Sequence, residues 1–193
     1  MRTRSGQKEQ NIWQAAVREF ARHGYHQAKI SRIAEGAGVA TGSVYLYFKN
    51  KKQLLEKILA DVWQNLAQEM EALVTRKDLN AVEKLEGMVD LVIDMFTDNP
   101  SLAIVVVNEH SQTRIAQPYY ERFLALGRQV LEEGIATGLL NPHLQVDVTS
   151  QFIFGGVRHL IHLWAQSPRQ YPLNKIRREV KLLLKRGILT EVQ

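Results

Sequence analysis

Ile33-Ala34-Glu35-Gly36-Ala37-Gly38-Val39-Ala40-Thr41-Gly42-Ser43-Val44-Tyr45-Leu46-Tyr47-Phe48 is the stretch that decides how this chain folds. Ile30, Ile33, Ala34 and Ala37 fall at i, i+3, i+4 and i+7, the spacing of one face of a short helix, and Gly38 stops it. Beyond Gly38-Val39, Thr41 to Phe48 carries Val44, Tyr45 and Phe48 at helical spacing. Upstream, Ile12, Trp13, Ala16, Val17 and Phe20 mark an earlier helix over Asn11 to His23, with Gly24 after it. Two short helices joined by a glycine turn, with a third packed across them, form a helix-turn-helix pattern, whose second helix enters the DNA major groove. Small Ala34 and Ala37 let the two helices cross closely, and Val39 closes the small core.

The exposed side of the third helix offers Thr41, Ser43, Leu46 and Tyr47. Its polar members suit phosphate oxygens and base edges, and Leu46 suits a thymine methyl. The charge distribution agrees with a polyanionic partner. Residues 1–53 carry +7, the rest of the 193-residue chain −2, within a whole-chain charge of +5. A basic head on a nearly neutral body is what a nucleic acid selects, although basic patches also serve solubility and anionic membranes. Arg2 and Arg4 are placed for an arm reaching into the minor groove.

Helical periodicity continues to the end of the chain. Lys52 to about Arg76 repeats Leu54, Leu55, Ile58, Leu59, Val62, Trp63, Leu66, Met70 and Leu73 every three to four positions, a helix of about 37 Å. Further helices are predicted over Leu79–Phe96, from Pro118 to about Thr137, over Val146–Gln166, and over Leu173–Leu189. In the last of these, Ile176, Val180, Leu183, Leu184 and Gly187 face inward. Leu102 to Val107 reads as a strand by propensity but as helix by context, because no second strand exists to pair with it. The fold class is therefore all-α. The loss of positive charge near residue 53 divides a helix-turn-helix head, 1–53, from a helical body, 54–193. Apolar runs far shorter than the roughly 20 residues of a membrane span, and an N-terminus without an apolar signal core, place the protein in the cytoplasm. Without cysteine there are no disulfides, thiolate metal sites or cysteine nucleophiles.

Ile33-Ala34, then Ala37-Gly38-Val39, then Gly42-Ser43-Val44-Tyr45-Leu46-Tyr47-Phe48, with Lys51 and Leu54 beyond, closely resembles the DNA-binding signature of TetR-type transcriptional repressors. The match is dense over about residues 10 to 56. The resemblance implies that Thr41, Gly42 and Ser43 approach bases and that Tyr45, Tyr47 and Lys51 hold phosphates, while Phe48 belongs to the three-helix core. One departure stands out: the Ser or Thr that often precedes the second helix is replaced by Ala28-Lys29. A side-chain N-cap is therefore missing, and Lys29 offers a charge contact to the backbone of DNA instead.

The same resemblance implies that the long fourth helix links the head to a helical sensor, and that the last two helices pair with those of a second subunit. Phe152, Gly155, Gly156, His159, Leu160 and Leu163 mix small and large residues in a way that permits close approach across a two-fold axis; ordinary packing within the chain is the plainer reading. A homodimer would read two half-sites of a palindromic operator on double-stranded DNA. Trp63, Met70, Met88, Met95, Phe96, Tyr119, Tyr120, Phe123 and Phe152 are of the kind that usually make a core, yet together they could line a tunnel for a hydrophobic effector. Within the family, Gly24-Tyr25-His26-Gln27, Asn99-Pro100-Ser101-Leu102 and Gln151-Phe152-Ile153-Phe154-Gly155 look most like the acyl-CoA-responsive repressors of fatty-acid degradation. That likeness implies a long-chain acyl-CoA effector, with Arg114, Arg122 or Arg128 meeting the CoA phosphates, and no resident cofactor or metal. A multidrug-type repressor sensing another hydrophobic molecule is the alternative.

Enzyme signatures are absent from the sequence: there is no G-x-S-x-G elbow, phosphate loop, dinucleotide fingerprint or H-E-x-x-H helix. His159-x-x-His162 and Glu109-His110 are the nearest approach to a metal-dependent hydrolase.

Overall fold

The computed structural model describes residues 4–109 and 117–188, and among these every regular element is helical. The helices are α1 (Arg4–Gln27), α2 (Ile30–Gly36), α3 (Thr41–Tyr45), α4 (Lys51–Val74), α5 (Ala81–Thr97), α6 (Pro100–Glu109), α7 (Gln117–Ala136), α8 (Val146–Gln166) and α9 (Leu173–Ile188). Of the two residues expected to form an arm, Arg4 opens α1 and Arg2 lies outside the described residues.

Helices α1 to α3 form the head. The backbone of α1 breaks at Gly24 (φ 70°, ψ 160°), where the sequence places its stop. Gly38 takes φ 68°, a left-handed geometry that favours glycine, and two bonds close the end of α2: Gly38 N–H to Glu35 O at 3.1 Å and Val39 N–H to Ala34 O at 3.0 Å. Ile12, Val17, Phe20, Ile33, Ala34, Val44 and Phe48 bury together as the small core.

Helix α4 runs without a break past residue 53, so the charge boundary falls inside it and the same rod serves head and body. Asn50 caps it: Oδ1 accepts the Gln53 N–H at 2.8 Å, while Gln53 Oε1 accepts the Lys49 N–H at 2.7 Å. In the body, α4 packs on α5 and α7, and α8 covers α6 and α7. The β-branched run Leu102–Val107 is helical, as context indicated. Helix α6 is wedged between α1 and α8, and burial on several sides accounts for its nearly continuous apolar character.

Helix α9 corrects one expectation. Ile176, Val180, Leu184 and Ile188 are buried at strict i+4 intervals, whereas Leu183 is 69% exposed and Gly187 is also exposed. A residue one position before the stripe sits about 100° round the helix, which takes it off the inner face. The polar side of α9 is fastened to α5 by Arg177 to Asp90 (3.2 Å) and Asp94, Lys181 to Asp90, and Lys185 to Glu86 (3.1 Å). Between α5 and α7, the buried Lys84 ammonium meets both carboxylate oxygens of Glu133, at 2.8 and 2.9 Å. No helix among the described residues is long and apolar enough to cross a membrane.

Candidate DNA interface and interior cavity

Val44 and Phe48 anchor α3 to the head and fix which side of it faces out. Thr41, Gly42, Tyr45 and Leu46 are exposed, Leu46 at 83%; Ser43 and Tyr47 are half-buried. Thr41, Gly42, Tyr45 and Leu46 thus make up the accessible side of α3, with the half-buried Ser43 at its margin, and Tyr47 also packs against the head core.

Lys29 occupies the N-cap of α2 without a side-chain cap, as its residue type dictates. The deficit is met from another helix. Its backbone N–H donates to Glu19 Oε1 at 3.2 Å, and this nearly buried carboxylate also faces His23 Nε2 at 3.6 Å and Arg32 at 3.9 Å. A carboxylate at a helix N-terminus is favourable, so α1 supplies the negative end that a Ser or Thr would have supplied locally. The Lys29 side chain remains exposed.

Lys51 is placed differently from what the resemblance implied. Its Nζ donates to His26 O at 2.9 Å and Ala28 O at 3.0 Å, and it lies 4.8 Å from the centroid of the Tyr25 ring. Two of its three N–H bonds are thereby committed to the turn between α1 and α2. The first residue of the fourth helix ties that helix to the reader unit. Burial raises the Tyr25 phenol above its ordinary range, and the Glu56 and Glu109 carboxylates add to the rise.

The body encloses a cavity of about 90 Å³, walled chiefly by α4, α5, α7 and α8, with α6 and Leu184 of α9 completing it. Trp63, Met70, Met88, Phe96 and Phe123 line it, as the sequence proposed for them. The Trp63 ring meets Tyr120 nearly edge-on (5.1 Å, 71°), Phe123 at 5.4 Å and Phe154 at 6.2 Å. Tyr120 packs behind this layer, and Tyr119 is half-buried outside the lining. Burial raises the Tyr120 phenol, against the opposing pull of the Arg158 charge.

Two expected lining residues are elsewhere. Phe152 is 81% exposed, because it lies two positions and about 200° from Phe154, the aromatic that does line the cavity. Met95 is a step off the 88-92-96 stripe, and it borders a shallow outer groove with Asn65, Gln68, Glu69, Leu91 and Asp94. Arg114 lies outside the described residues. Arg122 pairs with Glu71 on the surface, and Arg128 approaches Asp147 at 3.8 Å. The cation that lines the cavity is Arg158, which sequence reasoning missed along with Ser150 and Phe154. The i, i+4, i+7, i+11 series 150-154-157-161 was the available signal. His159 is exposed, and His162 Nε2 meets the Gln166 amide at 2.9 Å.

Comparison with known proteins agrees along the whole chain. Residues 12–58 match the family model for bacterial regulatory proteins of the tetR family, and residues 59–187 match that of the C-terminal region of YsiA-like proteins. The fatty acid metabolism regulator protein of Bacillus subtilis is 32% identical over 186 residues, covering 94% of this chain and 95% of its own. The crystal structure of the transcriptional regulator FadR from Bacillus subtilis in complex with stearoyl-CoA superposes with a TM-score of 0.80 at 31% identity, covering 93% and 98%. The fatty acid degradation regulator FadR from Bacillus halodurans gives 0.82 at 30%, covering 93% and 95%. A glycine-turned three-helix head on a continuous fourth helix, together with family-model matches over residues 12–187 and a relative covering 94% of the chain, places this chain in the TetR family of bacterial transcriptional regulators.

Proposed function

We propose that this repressor holds a palindromic operator as a homodimer in the cytoplasm, and releases it when a long-chain acyl-CoA enters the body, so controlling genes of fatty-acid metabolism. The observation that carries the reading is the cavity itself. It is apolar, and one of its walls, formed by Trp63, Leu66 and Met70, is the helix whose first residue grips the head. Pockets that bury drug-sized ligands span roughly 300–1,000 Å³, several times the space present, so an acyl chain must push the walls apart. Displacing α4 carries Lys51 and the reader with it. A coupling of about 1–3 kcal/mol between cavity and head would suffice for a typical regulated response. The similarity to a regulator crystallised with stearoyl-CoA supports the ligand class.

Dimerisation is supported by apolar surface left exposed among the described residues: Val148 and Phe152 on α8, where Gly155 and Gly156 follow, and Leu182 and Leu183 on α9. Two copies would place two readers on half-sites about 34 Å apart. The α3 ridge then reads bases through Thr41, Gly42 and Ser43, with Leu46 against a methyl group and Tyr45, Tyr47 and Lys29 on phosphates.

Selection of bound duplexes from a random pool, with and without palmitoyl-CoA, tests both halves. The expected result is a palindrome that is lost when the thioester is added. A palindrome indifferent to it would leave the head reading standing and point the cavity at another hydrophobic molecule, as in multidrug-type repressors. No enriched duplex would overturn the operator reading.

A further inference from the structure

Among the described residues lining the cavity, three carry an N or O atom in the side chain: Trp63, Ser150 and Arg158. The Ser150 hydroxyl donates to Asp147 O at 3.1 Å. Trp63 is different. It is 96% buried (4% exposed), and its indole N–H is shut from solvent with no acceptor among the described residues. A buried donor left without a partner is a standing free-energy cost, and folded proteins rarely keep one without reason. Of the other two unpartnered buried nitrogens, Trp13 Nε1 and His162 Nδ1, neither residue borders the cavity.

Arg158 lines the chamber as well, one helical turn after Phe154, which packs on Trp63 and on Tyr120 (5.5 Å). The rest of the described lining is almost wholly aliphatic, methionine and phenylalanine side chains, so the polar junction of a ligand with a long hydrocarbon tail has few groups to meet.

We propose that the Trp63 indole N–H is the cavity's hydrogen-bond donor to the effector, accepting as partner the carbonyl oxygen of an acyl thioester, so that the protein distinguishes a thioester from an equally long and equally apolar chain. The proposal rests on the acyl-CoA reading above and refines it. Because an acyl chain must widen the chamber before it fits, the nitrogen gains its acceptor in the same step that moves α4. The effector's carbonyl thereby joins ligand recognition to the lever helix directly.

The test compares palmitoyl-CoA with S-hexadecyl-CoA, the thioether that keeps the chain and the nucleotide but lacks the carbonyl, on the full-length protein and on Trp63→Phe. The expected result is about tenfold tighter binding of the thioester by the parent protein, the size of one hydrogen bond, and no preference in the variant. Indole ¹⁵N–¹H spectra provide a readout that does not need the variant. With Trp13, Trp63 and Trp164 as the three indoles, one N–H proton should move downfield with the thioester and not with the thioether. Equal binding of both ligands by the parent protein, or a thioester preference that survives Trp63→Phe, would overturn the role given to Trp63 and leave the acyl-CoA reading intact. Failure of either ligand to bind would remove both.

Discussion

The head and the body use side chains under different constraints. In the head, α3 has only five residues, so two anchors, Val44 and Phe48, settle its orientation and leave a short ridge whose chemistry can be named position by position. In the body, α4 to α9 bury dozens of apolar groups, and those that face the cavity are of the same kinds as those that simply fill the core. An outward polar residue on a minimal scaffold is informative by type. An inward phenylalanine is informative only by its angle.

That contrast can be broken most severely at the proposed dimer face. Phe152→Glu puts a charge on an exposed apolar surface without disturbing the core, and should lower operator affinity by about 100-fold or more while leaving the helical signal intact. Sedimentation alongside a binding titration checks it, and an unchanged dimer would mean that α8 is not the interface. Next comes the cavity. A Cβ on Gly127 meets nothing within 4 Å, so Gly127→Leu should fill space, raise Tm through better helix propensity, and weaken palmitoyl-CoA binding by at least about tenfold with DNA binding retained. Effector titration by calorimetry reads this directly.

A subtler pair separates two kinds of lysine in the head. Lys29→Ala should flatten the dependence of log affinity on log salt by about one, as loss of a phosphate contact does. Lys51→Met should weaken binding to all duplexes by about tenfold with the slope unchanged, because its ammonium holds backbone carbonyls. A flattened slope for Lys51→Met would return it to the phosphate-binding set. Smaller still, Gly38→Ala forces a Cβ into φ 68° and should cost about 1 kcal/mol, visible as a lower chemical-denaturation midpoint. The least effect belongs to the exposed Glu71–Arg122 pair, whose hydrogen bond holds the Glu71 carboxyl below its ordinary value. Its contribution is present at neutral pH and fades as pH falls through that lowered value, but solvent screens both exposed groups, so Arg122→Ala should barely move Tm even at pH 7. A large drop at neutral pH would show the pair to be structural.

The order and type of the helices were legible because hydrophobic period, glycine stops and capping residues act locally. Even the ambiguous Leu102–Val107 run could be settled by the want of a pairing strand. Which side of α3 faces outward was legible for the same reason. Lys51 was not: its type suits a phosphate, and only the approach of the α1–α2 turn, more than twenty residues away in sequence, supplies the carbonyls it binds. Glu19 as the surrogate cap of α2 was hidden likewise. In the body, Phe152 and Phe154 are indistinguishable by composition, and an error of one or two positions in helical phase exchanges surface for cavity.

What the amino-acid order alone determined is therefore everything written in short-range periodicity: an all-helical chain, a basic reader with its glycine turn, and a long rod leading out of it. What tertiary structure decided is which residues, Arg158 among them, surround empty space, and where a lysine that looks free is tied down. The physical reason is one of range. Backbone conformation responds to neighbours within a turn or two, whereas a cavity and the buried indole N–H of Trp63 beside it exist only after distant helices have packed.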